Sequence, residues 1–95
     1  MNYDLKKSGK RIQALRKESG MTQAQLAERV GISADNLGRI ERGLQGVSID
    51  LLIELASFFA VSMDYIALGH EMRTDVVKSM IHSAVNTLME LEQSL

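Results

Sequence analysis

The stretch from Met21 to Gly43 places the strongest constraint on how this chain can fold. Thr22 is followed three residues later by Gln25, a pair typical of the capping box that begins an α-helix. Apolar residues at helical spacing follow, and Gly31 interrupts them before Ser33 begins a second helix. Two short helices joined by a glycine-containing turn form the helix-turn-helix arrangement. The sequence therefore predicts two packed helices that meet at a turn near Gly31.

The same capping chemistry recurs along the chain. A hydroxyl residue follows one apolar residue and precedes another four positions later at Thr22, Ser33, Ser48 and Ser62. This pattern predicts helices that start near residues 22, 33, 48 and 62. Upstream, Leu5, Ile12 and Leu15 recur at helical intervals before Gly20, and the Ser8-Gly9 pair predicts that the folded helix begins there rather than earlier.

The C-terminal segment has a different periodicity. From residue 71 onward, apolar residues recur at alternating steps of four and three, namely Val77, Ile81, Ala84, Leu88, Leu91 and Leu95. The pattern predicts one amphipathic helix, although it is too short to establish a coiled coil by itself. Such a helix must either pair with a second copy or fold back on its own domain. We expect pairing, with residues 1–69 as one domain and residues 70–95 as a dimerisation element.

The segment from Lys10 to Gly69 resembles the repressor/Cro-type helix-turn-helix family, also called the XRE or lambda repressor-like family. The resemblance rests on Arg11-Ile12, Leu15-Arg16, Thr22-Gln23, Leu26-Ala27, Gly31-Ile32-Ser33, Leu37, Ile40-Glu41, Gly43, Leu51-Leu52, Leu55-Ala56, Val61 and Ser62. It implies an all-α fold, in which a five-helix DNA-binding domain precedes the C-terminal dimerisation helix. It also implies that Arg16 pairs with Glu41 and ties the first helix to the end of the third.

The resemblance further implies that the helix spanning residues 33–42 reads bases in the major groove. Leu37 and Ile40 face the core on this helix, so the expected base-facing residues are Ala34, Asp35, Gly38 and Arg39. Arg39 is suited to the O6 and N7 atoms of guanine, and Ala34 to a thymine methyl group. Asp35 either accepts from cytosine N4 or only favours the helix N-terminus. Gly38 either permits close approach of the backbone or is simply tolerated.

Contacts to phosphate position a protein on DNA without reading its sequence. Gln23 matches a glutamine that holds a phosphate in the resembling family. The other expected phosphate-binding residues are Ser33, Asn36, Arg42, Lys10 and Arg11. Residues 44–47, which follow the reading helix, lack the proline or basic residues that the family often has there. The path of this loop is therefore not predicted.

Charge is unevenly distributed along the chain. The formal net charge is −1, but residues 1–69 contain nine Lys or Arg against eight Asp or Glu, and residues 70–95 contain two against four. Six of the nine basic residues lie between positions 6 and 17. A nearly neutral protein can therefore present one local basic face.

The sequence offers no chemistry for an enzyme. It contains no cysteine, and its two histidines, His70 and His82, lack metal-ligand spacing. No glycine-rich phosphate loop is present. We expect no catalytic site, no metal and no cofactor. Without a signal peptide or a membrane span, a cytoplasmic location is expected.

These observations favour a dimeric, sequence-specific transcriptional regulator that binds a double-stranded DNA operator. Repression is inferred from family analogy alone. The alternative is an antitoxin, or another protein-interaction module of the same fold, that binds a partner protein through its last helix. A small-molecule sensor is less favoured because no residues remain for a ligand domain.

Overall fold

The computed structural model describes residues 3–70 and 72–94, and the side chains of residues 3–70 and 80–94. The described residues form six α-helices and no strand: α1 (Leu5–Glu18), α2 (Gln23–Val30), α3 (Ala34–Glu41), α4 (Ile49–Phe59), α5 (Met63–Leu68) and α6 (Met72–Ser94). The predicted all-α fold, with five helices followed by a C-terminal helix, is confirmed. Within the described residues, no helix is both long enough and apolar enough to cross a membrane.

Hydroxyl side chains begin four of these helices, as the sequence predicts. Each hydroxyl oxygen accepts a hydrogen bond of 2.9–3.1 Å from the backbone N–H three residues later, at Thr22, Ser33, Ser48 and Ser62. The Gln25 side chain returns a bond of 2.9 Å, in which its Oε1 accepts from the Thr22 N–H, and this completes the capping box. An N-cap of this kind stabilises a helix by about 1 kcal/mol. Local sequence therefore fixes where these helices start.

One helix ends in an unusual conformation. The residue that closes α4 is Ala60, which has a left-handed backbone with φ of 55°. Glycine adopts this conformation freely, whereas an L-residue with a Cβ atom does so at an energetic cost. The α2 helix shows the usual solution, since it ends at Gly31 with φ of 78°.

A single apolar core joins the first five helices. Its buried members are Ile12, Leu15, Leu26, Ala27, Leu37, Ile40, Leu51, Leu55, Ala56, Val61 and Ile66. Every one of the helices α1 to α5, or the turn beside it, contributes to this cluster. The burial of Leu37 and Ile40 holds α3 by one side and leaves its opposite side facing outward.

The start of α1 differs from the prediction. The helix begins at Leu5 with Asp4 as its N-cap, and Ser8 and Gly9 are buried inside it. A Cβ atom added at Gly9 would lie 2.3 Å from the carbonyl oxygen of Ile40. Gly9 therefore marks the place where α1 crosses the end of α3 closely, not the start of the helix. The predicted start was wrong because a small residue at a helix crossing resembles a helix breaker in the sequence.

Candidate nucleic-acid interface

The outward side of α3 carries three of the four residues expected to face DNA bases. Ala34, Asp35 and Arg39 are exposed. Asp35 and Arg39 form an ion pair, with 3.2 Å between Asp35 Oδ2 and Arg39 Nη2, and their side chains remain 75% and 56% exposed. Both groups are thus accessible to a ligand while they contact each other.

Gly38 is the exception among these residues. It is buried, and a Cβ atom built on it would lie 3.5 Å from Oε1 of Gln23 and 3.8 Å from its Nε2. The Gln23 side chain, which projects from the first turn of α2, therefore covers this glycine. The structure therefore places Gly38 beneath the Gln23 side chain and not on the exposed side of α3.

A buried hydrogen-bond network holds Gln23 in this position. Glu41 Oε1 accepts from Gln23 Nε2 at 3.0 Å and from Arg16 Nη2 at 3.0 Å. Glu41 Oε2 accepts from Arg16 Nε at 2.7 Å, and Arg16 Nη1 donates to the Met21 carbonyl at 2.8 Å. The pair between Arg16 and Glu41 that the family resemblance implies is confirmed. The side-chain hydrogen bonds with Glu41 raise the pKa of Arg16 above its ordinary value.

The network joins three helices, which include α2 and α3, the two helices of the helix-turn-helix arrangement. Arg16 belongs to α1, Glu41 ends α3, and Gln23 begins α2. The Glu41 side chain is fully buried and that of Arg16 is 9% exposed. Removal of one partner from a buried ion pair leaves an uncompensated charge, which is strongly destabilising. The buried pair of Arg16 and Glu41 therefore supports the exposed side of α3 from beneath, and Gln23 is the member of the network that reaches the surface.

The flank of α3 opposite Gln23 includes Gln45, a residue that was not predicted from the sequence. Asn36 is half-buried, and its Oδ1 accepts a short hydrogen bond from Nε2 of Gln45, which lies in the loop after α3. This bond fixes the loop whose path the sequence did not predict. It also leaves the amide nitrogen of Asn36 as the donor that can face a phosphate. No local signal in the sequence identifies Gln45, because its contact depends on how the loop returns to the helix.

The basic residues of α1 have divergent roles. Lys10 is exposed, but Nη1 of Arg11 donates to the carbonyl oxygen of Ile66 at 2.9 Å, and its guanidinium lies against Gly69. Arg11 thus binds the C-terminal end of α5, a structural contact that was not expected from the sequence. Lys6 was not predicted, yet it is exposed and its backbone packs against Gly43 at the end of α3.

These positions define a surface that we call the reading surface. At its centre are the exposed side chains of Asp35 and Arg39. Residues 36 and 38 point to opposite sides of α3, since two helical steps turn the chain by about 200°. The amide of Gln23 therefore flanks the centre on one side, and the amides of Asn36 and Gln45 flank it on the other. Ser33 and Arg42, both exposed at the two ends of α3, complete the surface.

Within α6, every described side chain from residue 80 to residue 94 is exposed. The exposed residues include four of those expected to form a dimer, namely Ile81, Ala84, Leu88 and Leu91. Val77 and Leu95 belong to the same four-three pattern of apolar residues, which we call the α6 seam, and lie outside the described side chains. The described part of α6 therefore presents its apolar residues to solvent and does not bury them on its own domain.

Comparison with known proteins defines the class to which this architecture belongs. A family model described as helix-turn-helix matches residues 12–66, which is more than half of the chain. The chain belongs to this helix-turn-helix family, and the resemblance read from its sequence is confirmed. The matched region contains α2, α3 and most of the reading surface.

Individual proteins show the same similarity. The HTH-type transcriptional regulator ImmR of Bacillus subtilis (strain 168) is 31% identical over 86 residues, which cover 86% of this chain and 68% of ImmR. The antitoxin PezA of Streptococcus pneumoniae is 43% identical over 54 residues, which cover 57% of this chain and 34% of PezA. The P22 c2 repressor, solved in complex with a synthetic operator, superimposes with a TM-score of 0.63 at 32% identity. That match covers 65% of this chain and 94% of the repressor chain.

Proposed function

We propose that this protein is a sequence-specific, DNA-binding transcriptional regulator that acts as a dimeric repressor. The observation that carries the proposal is the position of Arg39, which is exposed at the centre of α3 between two flanks of amide donors. An α-helix fits the major groove of B-DNA, which is about 12 Å wide. With α3 in the groove, Arg39 reaches guanine O6 and N7, and Ala34 and Asp35 lie beside the neighbouring bases.

The flanks of the reading surface suit the two phosphate strands that border the groove. Gln23 lies towards one strand, and Asn36 and Gln45 lie towards the other. Neutral amide and hydroxyl groups commonly donate to phosphate oxygens. We assign phosphate binding to Gln23, Ser33, Asn36, Arg42 and Lys10, and add Gln45 and Lys6. Gly38 lies beneath the Gln23 side chain and is not assigned a contact with a base. Arg11 is left out of the phosphate set because its guanidinium donates to the carbonyl oxygen of Ile66.

Dimerisation is assigned to residues 70–95, and DNA binding to residues 1–69. The buried core of the described residues comes from α1 to α5 and the turns beside them, and the described apolar side chains of α6 remain exposed. Ile81, Leu88 and Leu91 are 59%, 65% and 58% exposed. A second copy of the same helix, with the same seam, would bury them. Two joined domains could then hold two half-sites one helical turn apart, about 34–36 Å along one side of the duplex.

A protein-binding role remains the second candidate, because the sequence is also similar to the antitoxin PezA over 54 residues. In that case α6 would bind a different protein and not a second copy. Light scattering after size-exclusion chromatography separates the two candidates. A stable homodimer of the purified chain supports the regulator, whereas a monomer that co-purifies with one stoichiometric partner from its native host supports the protein-binding module.

Selection of bound sites from random duplex DNA tests the DNA-binding proposal itself. We expect a two-fold-symmetric motif, since two copies of one reading surface contact it. On the selected site, the logarithm of the association constant should fall linearly with the logarithm of salt concentration, with a slope near −0.9 per phosphate contact and about six to ten contacts per dimer. An association constant that does not change between low and physiological salt would rule out binding of this kind.

A further inference from the structure

The ion pair at the centre of the reading surface carries an inference about how sequence is selected. Asp35 precedes Arg39 by one turn of α3, and the two charged atoms lie 3.2 Å apart. A carboxylate on a surface that meets a polyanion repels the phosphates of every DNA sequence equally. Asp35 therefore weakens DNA binding in general. A carboxylate at this position benefits the protein only if it improves the preference for particular sequences.

We infer that Asp35 is a positioning residue, which acts through Arg39 to make that arginine read guanine rather than bind phosphate. The inference rests on the proposed function, because it assigns roles within the same reading surface. Asp35 has two effects here. It limits the orientations of the Arg39 side chain, and it neutralises the positive charge that a phosphate would otherwise attract.

The geometry of the guanidinium permits both contacts at once. Arginine carries five N–H donors in a planar fork. The carboxylate of Asp35 lies beside Nη2, so further N–H groups remain for the two acceptors of guanine. A long side chain that is already oriented loses less conformational freedom when it binds than one that is free. The ion pair therefore improves the binding free energy of a complex with a guanine-containing site, but not that of a complex made only with phosphates.

The charge of the ion pair also favours guanine over phosphate. Arg39 alone would bind any nearby phosphate, and such contacts supply affinity without selectivity. The pair of Asp35 and Arg39 has no net charge and attracts phosphates weakly. The guanine edge offers two acceptors in one plane, which the oriented fork matches better than it matches a single phosphate oxygen.

The test compares Asp35→Asn with Asp64→Asn. Both aspartates are the second residue of a helix, so both substitutions remove one negative charge from the same helical position. Asp64 belongs to α5, outside the reading surface. Each variant is titrated with three duplexes at low salt: the selected site, the same site with the guanine contacted by Arg39 replaced, and an unrelated sequence. Thermal unfolding of each variant confirms that it remains folded.

For Asp35→Asn we expect tighter binding to the unrelated duplex. The ratio of the affinity for the selected site to the affinity for the unrelated duplex should fall by about tenfold, a change within the range of coupling energies between neighbouring side chains. The salt slope on the unrelated duplex should become steeper by about 0.9, because Arg39 gains a phosphate contact. The substitution should leave the affinity ratio unchanged when Arg39 is already alanine. For Asp64→Asn, the ratio and the slope should match those of the wild-type protein.

Two results would overturn the inference and leave the proposed function intact. The first is an unchanged affinity ratio for Asp35→Asn while the wild-type protein still prefers its selected site. That result would show that the pair only stabilises α3. The second is a loss of selectivity that persists with Arg39→Ala and maps to a different base pair, since Asp35 would then contact a base itself. A wild-type protein that shows no preference among the three duplexes would overturn both the inference and the proposed function.

Discussion

Substitution by alanine should change the stability of the fold in opposite directions at two glycines that occupy equivalent places in two helices. Gly9 is the fifth residue of α1 and Gly38 is the fifth residue of α3. Replacement of a helical glycine by alanine stabilises a helix by about 1 kcal/mol, because alanine has the higher helix propensity. This gain applies at both positions, so any difference between them reports the space around the added methyl group.

The structure predicts the sign and the size of that difference. At Gly38 the new methyl group would lie 3.5 Å from the nearest atom, which belongs to the Gln23 side chain, and this is an ordinary contact. At Gly9 it would lie 2.3 Å from the Ile40 carbonyl and 2.7 Å from that of Glu41, and both atoms belong to the main chain. No rotamer change can relieve that clash, so α1 must move from α3 by about 1 Å.

Overpacking costs about 1–3 kcal/mol, and a clash with main-chain atoms belongs at the upper end. After subtraction of the gain in helix propensity, Gly9→Ala should destabilise the fold by about 2 kcal/mol. Gly38→Ala should stabilise it by up to about 1 kcal/mol. In a domain of this size, 1 kcal/mol corresponds to a change in Tm of about 4–8 °C.

Urea and thermal unfolding, followed by far-ultraviolet circular dichroism, measure both effects. The variants must be compared at one protein concentration, because association would shift the apparent stability. The result that would refute the reasoning is a shift of Tm in the same direction for both variants. An increase for Gly9→Ala would show that α1 and α3 are not in close contact, and a decrease for Gly38→Ala would show that the space beside Gln23 is not available.

Three further predictions concern other parts of the molecule. Leu88→Asp places a charge in the α6 seam and should convert the proposed dimer to a monomer in sedimentation experiments, because burial of an unpaired charge is prohibitive. Asn86→Asp, on the opposite side of the helix, should leave the proposed dimer intact, and equal behaviour of the two variants would argue against pairing through this seam. Ala60→Gly should raise the unfolding free energy by about 0.5–1 kcal/mol, since it removes the cost of a left-handed backbone from a residue with a Cβ atom; no gain in a urea titration would contradict this. Hydrogen bonds from the N–H groups of Lys7 and Lys6 lower the pKa of Asp4 from its ordinary value of 3.8. The contribution of Asp4 to stability is therefore present above that value and is lost as the pH falls through the lower folded-state pKa. The stability difference between the wild-type protein and Asp4→Asn should shrink below about pH 4, and a difference that is constant with pH would refute this prediction.

The parts of the fold that the sequence predicted are those set by local chemistry. The four hydroxyl caps specify their helix starts because each needs only the backbone three residues ahead. The pair between Arg16 and Glu41 was inferred only through family resemblance, since 25 residues separate the two. Gly9 was misread because its role depends on the backbone of α3, which no local pattern reveals.

The reading surface was predictable to a similar extent. Arg39 and Asp35 follow from helical periodicity once Leu37 and Ile40 are assigned to the core. Gln45 and the alternative role of Arg11 could not be found in this way, because each contact joins residues distant in the chain. Arg11 reaches Ile66 across 55 positions, and a basic residue on an exposed helix gives no sign of such a partner.

The most direct test of the account is the base preference of two variants on a selected duplex and its single-base-pair substitutions. Arg39→Ala should lose about 1–3 kcal/mol of binding free energy per half-site and lose its preference at one base pair. Gln23→Ala should weaken binding to every duplex by the same factor, because a phosphate contact positions the protein without reading bases. If Arg39→Ala kept every base preference of the wild-type protein, the claim that α3 reads DNA through Arg39 would be contradicted.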